Sequence, residues 1–577
     1  MDCRERILSN NTFDYITDFP IESSVNPALV FCYEDIEGMY NIAYLNRSLI
    51  PDLEANFFEY QSIPKLYGLM QIGPSGGGDV FDPSALIASG ITRVQRPPLS
   101  LTGRGTIICI ADTGIDYTLP VFRDENGNTR ILAIWDQTIQ DGPAPEGFQY
   151  GTEYTEADIN WALQSEDPFR IVPSRDENGH GTMLAALAAG KSTQPGNSYL
   201  GAAPEAGLVI VKLKEAKPYL RNYYLVPENV AAYQENDIML AAKYGNRFVD
   251  FYVRPVVFCL GLGTNMGDHN GTSFLSEYLG RIARQRSSAV VVTGGNEGNA
   301  GHHFQGDLAR AGASVTADGM LYQDVEIRVG EGSRGFFLEL WGNLPDIVNV
   351  SIRTPGGETI PRIRLGGRQS ITYGFIYEQS QVTVDASVVE PSSGEELILF
   401  RLVTPTPGIW TFRVSGTTTL YNGVFHMWLP IRDFLDTEVY FLSPSPYVTL
   451  TEPSMASDVI CVSTYNSDNG SFYIESGRGF AQNGAIRPDL AAPGVNVSTI
   501  RGKSTGASLA AAITAGAVAQ LLQWAVVERN DELAGSREIR SYLVLGASRT
   551  AGQTYPNREW GYGKLNMGGT FDALVGV

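Results

Sequence analysis

Three short Gly-rich segments, far apart in the chain, each carry one reactive side chain. They are Ala111-Asp112-Thr113-Gly114-Ile115-Asp116, Asn178-Gly179-His180-Gly181-Thr182 and Gly506-Ala507-Ser508-Leu509-Ala510-Ala511. A fold that unites positions 112, 180 and 508 must start from their flanking elements. Thr106 to Ala111 is apolar and β-branched, the pattern of a buried parallel strand, and Asp112 falls at its C-terminal end, where open α/β sheets bind ligands. Thr182 to Ala189 reads as a buried helix ended by Gly190. Ser508 opens a second Ala-rich helix running to about Trp524, where the positive end of the helix dipole favours a nucleophile. A serine hydroxyl attacks a carbonyl only with a base in hydrogen-bond reach and a third group to fix the base's tautomer. His180 fits the base, because imidazole titrates near 6.5; Asp112 fits the orienting group and Ser508 the nucleophile. Alone, each segment is an ordinary turn, loop or helix cap. Jointly, in the order Asp…His…Ser, they predict an acyl-transfer triad.

A tetrahedral intermediate also needs donors for its oxyanion. Ala289-Val290-Val291-Val292-Thr293 reads as another buried strand and leads into Gly294-Gly295-Asn296-Glu297-Gly298-Asn299. An amide side chain at a strand end among glycines suits the task, so Asn296 is the candidate donor.

With these residues placed, the chain resembles the subtilisin family of serine proteases. Gly90-Ile91-Thr92-Arg93-Val94-Gln95 with Thr102-Gly103-Arg104-Gly105, Arg487-Pro488-Asp489-Leu490-Ala491-Ala492-Pro493-Gly494-Val495, and Gly561-Tyr562-Gly563-Lys564-Leu565-Asn566 are similar to further family segments. The likeness covers about residues 85–315 and 445–577. Within the family, Gly263-Thr264-Asn265, Asp268-His269-Asn270-Gly271-Thr272-Ser273, Arg284-Gln285-Arg286 and Ala510 to Gly516 resemble the clostridial Csp subtilases of spore germination. That resemblance implies an α/β fold with a subtilisin-like parallel sheet and helices on both faces, a small α+β prodomain, and an inserted all-β jelly-roll-like domain. It further implies a self-cleaving proenzyme whose prodomain stays bound in the cleft, and a protein substrate such as a spore cortex-lytic zymogen. One position departs from the pattern: Ala507 stands where the family usually has a Thr whose hydroxyl assists the oxyanion hole. Some Csp members have lost triad residues; this chain has all three.

The organisation follows from composition. Residues 1–70 precede the core, with strands expected at Ala28–Tyr33 and Met39–Leu45, and fit a prodomain. Ile63-Pro64-Lys65-Leu66-Tyr67-Gly68-Leu69-Met70 is apolar enough to fill a substrate cleft, and Gly73-Pro74-Ser75-Gly76-Gly77-Gly78 after it reads as flexible. Self-cleavage is therefore expected around Leu69, Met70 and Gln71. Residues 71–317 and 443–577 form the catalytic domain. Asp136 to Arg175, rich in Asp, Glu, Gly and Pro, reads as a surface insertion near the cleft. Residues 318–442 change to short alternating runs separated by turns such as Pro355-Gly356-Gly357, the pattern of a β-sandwich. Subtilases bind peptides as an added strand, and Gly261-Leu262-Gly263 aligns with one cleft edge. The two glycines would admit substrate backbone, and Leu262 would line the pocket.

Net charge −21 over 577 residues argues against nucleic acid or an anionic membrane as partner. Cys109, Cys259 and Cys461 sit in apolar runs and read as buried hydrophobes, and with Cys3 and Cys32 the odd count argues against a full disulfide framework. No secretory signal follows Met1, and no apolar stretch reads as long enough to span a membrane. A cytoplasmic or spore-associated protein is expected, with export by another route open. His302-His303 is a weak metal pair, since adjacent side chains rarely converge, and no calcium-loop spacing is present; no metal and no cofactor are expected. A serine endopeptidase is the leading reading. A subtilase-fold binding or signalling scaffold with little turnover is the alternative, and a serine esterase would want Gly-x-Ser-x-Gly around Ser508.

Overall fold

The computed structural model describes residues 3–19, 29–50, 58–70, 73–76, 81–192, 199–310, 313–363 and 367–575. Its centre is an eight-stranded sheet in the order Leu490–Pro493, Ile460–Tyr465, Ser288–Thr293, Val256–Leu260, Ile107–Asp112, Gly207–Lys212, Ile131–Asp136 and Thr152–Thr155. Neighbours are parallel until the last pair, which is antiparallel. Because side chains alternate across a strand, each central strand serves two cores. Ile108 and Ile110 face a layer that includes the helices His180–Ala189, Ala507–Leu522 and Ser536–Leu545. Ile107, Cys109 and Ala111 face Glu235–Tyr252 and Phe274–Ala283 on the other side. This explains why the strands are apolar throughout.

The Ala507–Leu522 helix is buried along its whole length. Small residues let it approach its neighbours: a Cβ on Gly516 would lie 2.4 Å from that of Ala202. Contrary to expectation, one run, Ala507–Val527, is long and apolar enough to cross a membrane; 83% of its most apolar window is buried inside the fold, so it is a core helix.

Before the core, Thr12–Thr17, Tyr40–Asn46 and Val30–Ile36 form an antiparallel sheet in that order, with a short helix Cys3–Leu8. Ile16, Ile36, Tyr40, Ile42 and Tyr44 join the apolar cluster of the Glu235–Tyr252 and Phe274–Ala283 helices. Cys3 and Cys32 form a disulfide, and Cys109, Cys259 and Cys461 are buried free thiols. The chain then runs as an extended segment, Leu66–Leu69, into the body of the protein.

Two stretches are more ordered than their composition suggests. Pro74–Gly76 is a strand paired with Gly502–Ser504 rather than a flexible linker, while Gly77 and Gly78 lie outside the described residues. The 136–175 insertion adds the edge strand Thr152–Thr155 and the helix Glu156–Leu163, fastened by Phe148 and Tyr150, whose rings pack tilted and edge-on against Trp135.

The inserted β-sandwich consists of two antiparallel sheets around one core. Its first strand, His303–Asp307, pairs with Val424–Trp428 and precedes residue 318, where the alternating composition begins. That strand follows a Gly-rich loop and its Gln305-Gly306-Asp307 has no apolar alternation, so only the pairing reveals it. Val439–Phe441 closes the unit on Leu321–Val329.

Candidate active site

Asp112 ends its strand, His180 begins its helix after Gly179, and Ser508 occupies the first turn of its helix after Gly506. The fold brings them together: His180 Nδ1 lies 2.7 Å from Asp112 Oδ1, and His180 Nε2 lies 2.9 Å from Ser508 Oγ. All three side chains are buried. The Thr113 amide also donates to Asp112 Oδ1, at 2.8 Å. The glycines around them answer to space. At Gly181 a Cβ would sit 2.3 Å from the Gly114 carbonyl oxygen, and Gly179 adopts φ +90° beneath the Arg501 guanidinium.

Asn296 lies beside Ser508. Its Oδ1 accepts from the Ala507 amide at 3.1 Å, which leaves its NH₂ group as the free donor. The Ser508 amide belongs to the first turn of a helix, where it has no intrahelical acceptor. It donates instead to the carbonyl oxygen of Met70, at 3.1 Å. Ala507 contributes its backbone to Asn296 but no hydroxyl.

Met70 is delivered by strand pairing on two sides. Leu66–Leu69 lies between Tyr233–Gln234 and Leu262–Gly263, antiparallel to both. Leu69 pairs with Leu262, Gly68 with Gly263, and the Met70 amide donates to the Gly261 carbonyl at 3.2 Å. Gly261 abuts the reactive group: a Cβ there would lie 3.2 Å from Ser508 Cβ and 2.7 Å from Leu184 Cδ1. Gly263 makes room chiefly for Thr451, whose Oγ1 would be 2.4 Å from an added Cβ, with Met70 Cε at 3.3 Å. Leu262 packs in the cluster that holds Tyr67, whereas Met70 belongs to a different cluster. Gln71 lies outside the described residues; the chain is described again from Gly73, with Pro74–Gly76 paired with Gly502–Ser504, just before Ser508 in the chain.

Several functional residues carry no sequence signal. Asp176 accepts from Thr113 Oγ1, the Gly179 amide, and both the amide and Oγ1 of Thr182, and so holds the Asp112 and His180 loops together. Glu297, next to Asn296, accepts from the Arg432 amide at 3.2 Å and contacts His302 Nδ1 at 2.5 Å. The second cleft edge, Tyr233–Gln234, is too short to show periodicity. His302 and His303 point to different partners, since His303 Nε2 lies 2.9 Å from His426 Nδ1. Burial holds His269 near 4 and His426 near 3, well below the usual imidazole range. Among the described residues no group of three or more His, Cys, Asp or Glu is placed to hold a metal. Burial pushes the Cys259 and Cys461 thiols up to about 12, so neither is a nucleophile at neutral pH.

A buried Ser–His–Asp chain with donors beside the serine can transfer an acyl group. The CspB protease of Clostridium perfringens superposes with a TM-score of 0.74 at 30% identity, over 86% of this chain and 98% of that one. The epidermin leader peptide processing serine protease EpiP of Staphylococcus aureus gives a TM-score of 0.43 at 12% identity, over 98% of this chain and 99% of that one. A comparison with curated proteins finds no match. A model of the subtilase family matches residues 103–321 and 443–563, interrupted where the β-sandwich is inserted. The chain belongs to the subtilase family of serine endopeptidases.

Proposed function

We propose that this protease works through Asp112, His180 and Ser508, with Asn296 completing the oxyanion site, and that its first substrate is itself. The observation that carries the reading is the Met70 carbonyl oxygen, 3.1 Å from the Ser508 amide. Ser508 Oγ attacks the Met70 carbonyl carbon while His180 Nε2 takes its proton. Asp112 steadies the imidazolium through Nδ1. The oxyanion is held by the Ser508 N–H and the Asn296 NH₂. His180 returns the proton to the amine of Gln71, the peptide bond breaks, and water then hydrolyses the acyl-enzyme. The segment up to Met70 stays in the cleft as a bound prodomain.

The substrate in trans is a protein entering the same cleft as an added strand. The resemblance of segments such as Asp268 to Ser273 to the Csp subtilases of spore germination, beside the 30% identity to the CspB protease, makes a spore cortex-lytic zymogen our candidate for that protein, with action inside the cell or in the spore. A binding scaffold with little turnover is the second reading, favoured by an occupied cleft and by Ala507. Intact mass and N-terminal sequencing of the wild type beside Ser508→Ala test the proposal. A cut after Met70 in the wild type only supports it. With both chains intact and no labelling by a fluorophosphonate, the scaffold reading replaces it.

A further inference from the structure

We propose that the Ile431–Phe434 turn of the inserted sandwich is the wall of a specificity subsite that admits glycine, and excludes larger side chains, at the third residue before the cut. The proposal rests on Met70 being the residue cleaved, which places Gly68 at that third position.

Gly68 sits in regular extended pairing with Gly263, and it is not among the residues with positive φ. Backbone conformation therefore does not require glycine there; space does. A Cβ on Gly68 would lie 2.5 Å from Ile431 Cδ1 and 3.2 Å and 3.4 Å from Phe434 Cε1 and Cζ. Ile431 and Phe434 are 2% and 1% exposed, so neither has open solvent to retreat into. The strand's alternation puts the contact where selection acts. Leu66 and Met70 share one apolar cluster with Ile431 and Phe434, whereas Tyr67 and Leu69 pack in the cluster of the helical layer. Gly68 lies between Leu66 and Met70 on the sandwich side.

The wall is fastened. The Phe434 amide donates to the Ile431 carbonyl at 2.9 Å, and the Leu429 amide donates to the His302 carbonyl at 2.9 Å. Asn265 Nδ2 donates to the Leu429 carbonyl at 3.1 Å, and the Arg432 guanidinium meets Glu475 at 2.6 Å. Glu297 accepts from the Arg432 amide and is the residue after Asn296. The inserted domain thus reaches the oxyanion loop through one carboxylate, and a side chain forced under the wall disturbs both.

The test uses the full chain. Gly68→Leu should slow cleavage after Met70 by about tenfold or more, with Gly68→Ala in between. Adding Ile431→Ala and Phe434→Ala should restore the rate of Gly68→Leu. A Gly68→Leu chain cut at the wild-type rate, or one that the two alanines fail to rescue, overturns the proposal. A parallel set in the Ser508→Ala background separates this from failure of the self-cleavage reading. There Gly68→Leu should lower the melting temperature, and the wall substitutions should cancel part of that loss. If the wild type proves uncut, self-cleavage is wrong and the subsite proposal falls with it; if the wild type is cut and the thermal coupling is absent, the subsite proposal alone is overturned.

Discussion

Ser508 meets Met70 with its amide, 3.1 Å from the carbonyl oxygen, while its hydroxyl faces His180 at 2.9 Å. The two contacts separate experimentally. Ser508→Ala should abolish turnover while leaving the chain folded, whereas Asn296→Ala should lower kcat by about 10²–10³ with little change in KM, because its donor acts on charge that exists only in the transition state. Asp176→Ala should do something different. It leaves the Thr113 and Thr182 hydroxyls and two amides unpaired in a buried site, at a cost of about 3 kcal/mol or more, visible as a lower denaturation midpoint. The contrast also marks what the sequence could reveal. Asp112, His180 and Ser508 each sit in a local Gly-rich setting at the edge of a strand or helix, so residue type and neighbours identify them. Asp176 draws its donors from loops more than sixty residues apart, a relation that exists only after folding.

The N-terminal sheet illustrates packing between elements. Two of its three strands were legible from apolar runs; Thr12–Thr17 was not, and neither were the partners of the sheet. Tyr40 Oη donates to Glu277 at 2.5 Å, and Lys217 Nζ meets Asp14 at 2.6 Å. Glu34 accepts from Tyr44 and from the Gln149 amide, with Lys243 and Asp237 nearby. Burial pushes the Glu34 carboxyl up to about 7 from an ordinary 4.5. A carboxyl raised in this way binds its proton more tightly when packed than when free. Its contribution is therefore full below about pH 4.5 and is lost as pH rises through about 7, worth up to about 3 kcal/mol across that window. Scanning calorimetry of Ser508→Ala should show the N-terminal unit loosening between about pH 4.5 and 7, and Glu34→Gln should flatten that dependence. The Cys3–Cys32 bridge ties the short helix to the sheet edge. Reduction should lower the stability of this unit by about 3 kcal/mol and leave the catalytic core unchanged, measured by unfolding with and without reductant.

In the whole molecule, three units share an apolar cluster that includes Phe13, Leu66, Tyr219, Met266, Phe337 and Ile431, and polar contacts fasten it. Glu339 of the sandwich accepts from Tyr60 at 2.6 Å, from the Gly267 amide at 3.0 Å and from Trp341 Nε1 at 3.0 Å, which joins the N-terminal unit, the core and the insertion. The architecture of parallel sheet, N-terminal unit and β insertion was legible because each has its own periodicity. How the insertion touches the cleft was not, because Ile431, Phe434 and Glu297 lie in turns whose sequence reports only local geometry. One feature bears on kinetics. The Leu66–Leu69 strand is the middle strand of three, bonded on both sides, so whatever leaves the cleft must break two ladders together. Cutting the Met70 bond removes neither. Release rather than bond-breaking should then set the pace: one equivalent of N-terminal fragment should form quickly and no more after it, while hydrolysis of an added peptide should rise only after a long lag. With the self-cleavage proposed above, such a protease would behave as a timer whose delay is the residence time of its own first product.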